Sequence, residues 1–336
     1  MNSIKDNLVP YVNIHSVDYA RFFFAICVLL IHTDFLGGNN NYLGYVFCQG
    51  LLRISVPFFF VTSGYFFHKT LNKNREGIWL WRNFKIYTVW MIVYFPLVTG
   101  MYRWVKGEGS LYLDFEFISF TILFGYWHLW FFPALLIAAL LTTFTSLFKI
   151  KPWIVTVLCT ALYLIGVYLQ YRGNYANNVS RDSWSLANVA ISRNGLFMGF
   201  PLFIAGYYIN QFSINYKSLN LVLVSVLLVV TESSVNYYLG APTFDILLTI
   251  PLPAIAIFLY LIQSGFVSKF RLDYSEHSKN IYLIQVYIIL AVKELCHTWI
   301  GVTGLSLMLS CIYSLLLVFI KNNLKQRSKM NQQRAI

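Results

Sequence analysis

Charge is what this sequence has least of. Only 11% of its 336 residues are Asp, Glu, Lys or Arg, while 58% are hydrophobic. Soluble domains carry about 25% charged residues, so a soluble chain this apolar would be unable to cover its own core. A soluble globular domain is excluded. Cysteine is sparse as well. Cys27, Cys48, Cys159, Cys296 and Cys311 lie in apolar segments at unrelated spacings. They read as small buried hydrophobes, and neither a disulfide framework nor a metal site is expected. There is no phosphate-binding loop of the P-loop type and no convincing dinucleotide fingerprint, which argues against an ATP-driven pump built from this chain alone. Internal repeats and low-complexity tracts are missing too. The polar start up to about Val17 lacks the basic-then-apolar order of a cleavable signal peptide, and none is expected.

Long apolar runs are what the sequence has in abundance. Stretches of roughly 18–20 apolar residues recur, each long enough to cross a hydrocarbon layer of about 30 Å as a helix. The runs are continuous rather than alternating, which favours helices over a barrel. The fold class is therefore all-α: a polytopic integral membrane bundle of about ten transmembrane helices. The spans are predicted near 17–36, 44–67, 84–101, 127–147, 152–170, 190–210, 218–236, 245–263, 278–297 and 302–320. The aromatic stretch 111–126 reads as an interfacial or re-entrant segment.

The net charge of +12 would suggest a nucleic-acid partner in a soluble protein. Here it follows from orientation, and none is expected. With both termini on the cytoplasmic side, seventeen of the 25 Lys and Arg residues fall inside, four outside and four within spans. That bias predicts an N-in, C-in topology. Residues 1–16 then form a cytoplasmic segment, 17–320 the transmembrane domain, and 321–336 a basic cytoplasmic tail, short and disordered.

The four basic residues inside spans are Arg21, Arg53, Arg193 and Lys293. Such residues are costly in a membrane and are functional candidates by default. In "DYARFFFAICVLLIH", Arg21 and His32 are eleven residues apart. At 100° per residue they fall about 20° from register on one helix face, roughly 16 Å apart along the axis. Asp18 stands three residues before Arg21 and can pair with it. Either Arg21 snorkels to the inner headgroups while His32 sits at the outer interface, or both face the bundle interior. Arg53 is far from both ends of its span, next to Ser55 and a Pro57 able to bend the helix. His128, between Trp127 and Trp130, lies at about the depth of His32, and Arg193 opens the sixth span beside Asn194 and Gly195. Asp245 reads as the cap of the eighth span. Lys293, Glu294 and His297 read as interface residues. Two histidines and two arginines from four spans can thus converge in the outer half. A neutral His can take a proton from a hydroxyl, and Arg can hold developing negative charge.

These blocks resemble the acyltransferase family 3 membrane proteins, which O-acetylate bacterial surface glycans. "DYARFFFAICVLLIH" is similar to the opening signature of that family, "RISVPFFFVTSGYFF" to its second block and "YWHLWFFPALL" to its third. "HSKNIYLIQ" looks like the late block, which usually ends in His where Gln285 stands here. Phe22 likewise stands where Gly is common. Arg193 belongs to "RNGLF", which looks like the branch containing the membrane part of vancomycin-type serine racemases. No soluble racemase or esterase-like domain is expected after the bundle.

The resemblance implies an O-acyltransferase in the bacterial cytoplasmic membrane. Acyl-CoA, usually acetyl-CoA, would be the cytoplasmic donor substrate, with no permanently bound cofactor. The acceptor would be a hydroxyl of a surface polysaccharide or lipid-linked glycan. His32 is implied as general base, with Arg21 and Arg53 supporting the donor or acyl group. His128, Arg193, Ser55, Asp18 and Trp130 are the substrate-binding candidates. The basic loop "HKTLNKNREGIWLWRNFK" can meet CoA phosphates, or simply reflect the positive-inside rule. Two other readings remain: a transporter of a small anion or amino acid such as L-serine, and a structural partner of glycan-assembly machinery.

Overall fold

The computed structural model describes residues 14–106, 115–176, 192–264 and 273–334. Among them the chain is all-helical. In order the helices are α1 (Ile14–His32), α2 (Tyr42–Gln49), α3 (Ser55–Leu71), α4 (Glu76–Lys106), α5 (Phe115–Phe124), α6 (Phe131–Leu147), α7 (Pro152–Ala176), α8 (Phe200–Gln211), α9 (Leu219–Tyr238), α10 (Pro251–Ile262), α11 (Tyr274–Leu295) and α12 (Trp299–Arg334). Short 3₁₀ turns at Phe35–Asn40, Leu51–Ile54 and Trp127–Trp130, and a π-turn at Gly195–Gly199, link some of them.

Among the described residues six stretches are long and apolar enough to cross a membrane: His15–His32, Tyr42–Leu71, Trp127–Leu147, Pro152–Tyr175, Leu219–Tyr238 and Trp299–Leu324. The remaining expected spans correspond to α4, α8, α10 and α11, which are too short or not apolar enough by the same measure. Of the most apolar windows in α7, α9 and α12, only 28%, 22% and 22% is buried inside the bundle. Their outward faces carry Trp153, Val157, Leu223, Leu227, Leu315 and Phe319, exposed as large apolar side chains are against lipid.

The centre of the bundle is α3 against α8. A Cβ added at Gly64 would stand 1.8 Å from the Phe203 carbonyl, and one at Gly206 would stand 1.9 Å from the Val61 carbonyl. The two backbones therefore touch directly, the small-residue contact that membrane helices use when hydrophobicity alone cannot bring them together. Phe58, Phe60, Phe67, Phe203 and Phe258 are fully buried around this contact. On the other side α1 lies along α11, where Ser278 Oγ donates to the Arg21 carbonyl at 2.9 Å.

Three expectations are corrected. The second span is not bent at Pro57. It breaks at Gly50, which ends α2, and Pro57 sits in the first turn of α3, where its missing N–H costs no helical bond. The eighth span does not begin as a capped helix at Asp245. Residues 239–250 form a non-helical loop, mostly buried, before α10. The tail after Ile320 is not disordered: α12 continues through it to Arg334. Extending a helix that the bundle has already nucleated is far cheaper than starting one. Of the expected N-terminal segment and the aromatic stretch 111–126, residues 1–13 and 111–114 lie outside the described residues.

Candidate active site

The buried loop 239–250 sets the site. Irregular backbone at membrane depth is tolerated only where protein satisfies its polar groups. Here side chains from several helices do so. Tyr45 Oη donates to the Pro242 carbonyl at 2.9 Å, and Tyr163 Oη to the Leu247 carbonyl at 2.5 Å. Gln49 Oε1 accepts from Phe244 N at 3.3 Å, and Gln170 Oε1 from Ile246 N at 2.9 Å. Glu232 accepts from Leu248 N at 2.7 Å and from Thr249 N at 2.9 Å. Held this way, the loop delivers Asp245 to the bundle interior.

Asp245 bridges two arginines. One carboxylate oxygen pairs with Arg53, and the other with Arg193 Nη1 at 3.3 Å. All three are largely withdrawn from solvent, with side chains 15%, 18% and 9% exposed for Arg53, Arg193 and Asp245. Arg53 is further fixed by donating Nε to the Cys48 carbonyl at 3.1 Å and Nη2 to Gln49 Oε1 at 2.8 Å. Arg193 is held less completely. Its guanidinium lies over the Trp130 ring, 5.1 Å from the centroid, and its buried Nε has no partner among the described residues.

These residues line a cavity of about 370 Å³ that also has His32, His128, Trp127, Asp34 and Lys293 in its wall. The expected convergence of His32, His128, Arg53 and Arg193 is present, and Trp130 joins it. His128 is buried, and neither ring nitrogen has a well-formed hydrogen bond. It is presented by a 3₁₀ turn that follows Gly125 at φ +77°, where a Cβ would meet the Trp130 backbone at 2.6 Å. Lys293 pairs with Asp34 at 3.1 Å. Both, with Asn39, also line a wider cavity of about 820 Å³ with Asn40, His297 and Trp299, so the two cavities are neighbours.

Arg21 does not join this cluster. It lines a second cavity of about 420 Å³ with Arg82, Lys279, Trp79 and Ser275. Arg21 Nη1 lies 3.5 Å from Asp18 and donates to Ser275 Oγ at 3.2 Å. Asp18 is thus Arg21's partner and not part of the cavity wall. Among the described residues Tyr282 alone lines both cavities. Its ring packs against Phe59, Phe131, Phe132 and His128, and its hydroxyl donates to the His128 carbonyl at 2.5 Å.

Ser55 lines neither cavity. It is fully buried and donates to the Leu52 carbonyl at 2.6 Å, so its hydroxyl is used by the turn before α3. Gln285 is fully buried and lines neither cavity. The sequence reading missed Asp245, Gln49, Lys293 and Tyr282 as parts of the site. Gln49 and Lys293 had local signals, the one four residues before Arg53 and the other a basic residue within a span.

A family model described as an acyltransferase domain, that of acyltransferase family 3, matches residues 14–322. An Enterococcus faecalis protein named amino-acid racemase is 25% identical over 345 residues, covering 95% of this chain and 47% of the relative. A second protein of that name from the same organism is 27% identical over 217 residues, covering 61% of this chain and 29% of the relative. The chain thus spans less than half the length of these relatives. No solved structure matches it. With nearly its whole length matched, this membrane protein belongs to acyltransferase family 3.

Proposed function

We propose that the chain is a membrane O-acyltransferase. In this reading it takes an acyl group, acetyl in the simplest case, from acyl-CoA at the Arg21 cavity and gives it to a hydroxyl at the His32 cavity. The observation that carries the reading is the pair of cavities sharing Tyr282 as a wall, one basic and one holding two histidines. Arg21 and Arg82, with Lys279 paired to Glu276 in the same wall, leave the cavity net positive and suited to the phosphates of a coenzyme. The cavities open beside different turns of α1, one at Arg21 and one at its His32 end, and an extended pantetheine arm matches the roughly 16 Å between those two residues.

The chemistry assigns each group one task. His32 takes the proton of the acceptor hydroxyl as its oxygen attacks the thioester carbonyl carbon. Arg53 faces the negative charge that gathers on the carbonyl oxygen, and Arg193 holds the acceptor. The intermediate collapses, the C–S bond breaks, and the thiolate leaves and takes the proton back from His32. Ester and free thiol are the products. The positive-inside bias puts the Arg21 cavity at the cytoplasm and the His32 cavity outside, in the cytoplasmic membrane of a bacterium. The acceptor is then a surface polysaccharide or lipid-linked glycan, and glycan-assembly proteins are natural neighbours.

The test is purified protein in liposomes with labelled acetyl-CoA, beside glycan analysis of a deletion strain. Acetyl-CoA consumption and a lost glycan acetyl group are expected. A second reading, transport of a small anion or an amino acid such as L-serine, draws support from the breaks at Gly50, Gly195–Gly199 and residues 239–250 around buried charge. Transporters build substrate sites from such interrupted helices, and the relatives' name concerns amino acids. Uptake of L-serine into liposomes without any use of acetyl-CoA would favour it.

A further inference from the structure

The charges around the His32 cavity do not cancel. Arg53, Arg193 and Lys293 contribute three positive charges, and Asp34 and Asp245 two negative ones. Lys293 is spoken for by Asp34, and Arg53 by Asp245, Gln49 and the Cys48 carbonyl. The surplus therefore falls on Arg193. It shares the Asp245 carboxylate at 3.3 Å, stacks on Trp130, and keeps a buried Nε without a partner among the described residues. A buried polar atom left unpaired is costly, and a guanidinium with donors to spare is built to grip a carboxylate or phosphate.

We propose that the hydroxyl compound bound in the His32 cavity is itself an anion, carrying a carboxylate or phosphate that Arg193 holds while the hydroxyl meets His32. Naming this compound the acyl acceptor rests on the acyltransferase reading; the anion site does not. A neutral sugar hydroxyl can accept a hydrogen bond from Arg193 but would leave the surplus positive charge uncompensated. The wider neighbouring cavity shares Asp34, Asn39 and Lys293 with this one, so its adjoining wall is polar.

The experiment uses the full chain in nanodiscs and calorimetry with matched pairs: D-glucuronate against D-glucose, and glycerol 3-phosphate against glycerol. The anionic member of at least one pair is expected to bind about tenfold or more tightly than its neutral partner, a difference of about 1.4 kcal/mol. The preference should shrink as salt rises. Which pair shows it tells carboxylate from phosphate. Arg193→Gln is expected to abolish the preference and Arg193→Lys to retain part of it. Equal binding, or none, within both pairs overturns the proposal, and so does a preference that survives in folded Arg193→Gln. If Arg193→Gln fails to fold, the wild-type pairs and their salt dependence decide alone. Labelled acetyl-CoA is followed in parallel. An anion preference without acetyl-CoA use sinks the acyltransferase reading and leaves the anion site, whereas acetyl-CoA use without an anion preference does the opposite.

Discussion

The Tyr282 hydroxyl donates to the His128 carbonyl at 2.5 Å, tying the wall between the two cavities to the turn that presents a buried imidazole. That one side chain both separates the cavities and fixes His128. Tyr282→Phe keeps the ring and loses only the bond, so a loss of about 1 kcal/mol in stability is expected, with acyl transfer reduced modestly. Tyr282→Ala opens the wall. It is expected to raise the ratio of acetyl-CoA hydrolysis to transfer, because water then reaches the thioester. Measuring both products in the same reaction checks this. An unchanged ratio in the alanine variant would remove Tyr282 from the partition.

Asp245 is the shared counter-charge of Arg53 and Arg193. Asp245→Asn strands two buried guanidinium groups, and breaking a buried pair in this way costs about 3–5 kcal/mol. A clear fall in unfolding temperature is expected by scanning fluorimetry. Arg53→Lys keeps the charge but cannot serve Asp245, Gln49 and the Cys48 carbonyl together. Most turnover should be lost with a smaller thermal effect than in Asp245→Asn. Full activity in Arg53→Lys would mean that the forked geometry is not needed.

Glu232 acts at a distance. It holds the loop through Leu248 N and Thr249 N and touches neither the His32 nor the Arg21 cavity. Glu232→Gln replaces a charged acceptor by a neutral one and is expected to loosen residues 239–250, seen as faster hydrogen exchange there. Turnover should fall through misplacement of Asp245. Unchanged exchange in that segment would show that the other clamps suffice.

Topology gives an expectation independent of chemistry. Tags at Asn39 and after Ile336 should report opposite faces of the membrane, outside and inside respectively. Accessibility of both from one face would break this topology, and with it the inner-donor, outer-acceptor geometry.

Much of the site was readable because Arg21, Arg53, His128, His32 and Arg193 each violate the apolar character of their own segment. The cost of a polar group in lipid makes such violations informative one residue at a time. Asp245 was not readable in the same way. An acid near the start of an apolar run looks like a helix cap, and its partners are 192 and 52 residues away. Tyr282 carried no signal at all, being one tyrosine among 24. In the sequence Pro57 is the louder breaker, whereas Gly50 is fixed by its crowding: a Cβ there would stand 2.5 Å from the Val46 carbonyl and 2.6 Å from Ser233 Oγ.

The most direct test of acyl transfer between the two cavities is a single-turnover assay with labelled acetyl-CoA, comparing wild type and His32→Ala at equal folded concentration. Loss of a general base costs about 10²–10⁴ in rate. Transfer of label to acceptor is expected to fall by that factor while coenzyme binding at the Arg21 cavity is unchanged. Transfer at the wild-type rate in well-folded His32→Ala would contradict the assignment of His32 as base, and with it the two-cavity mechanism.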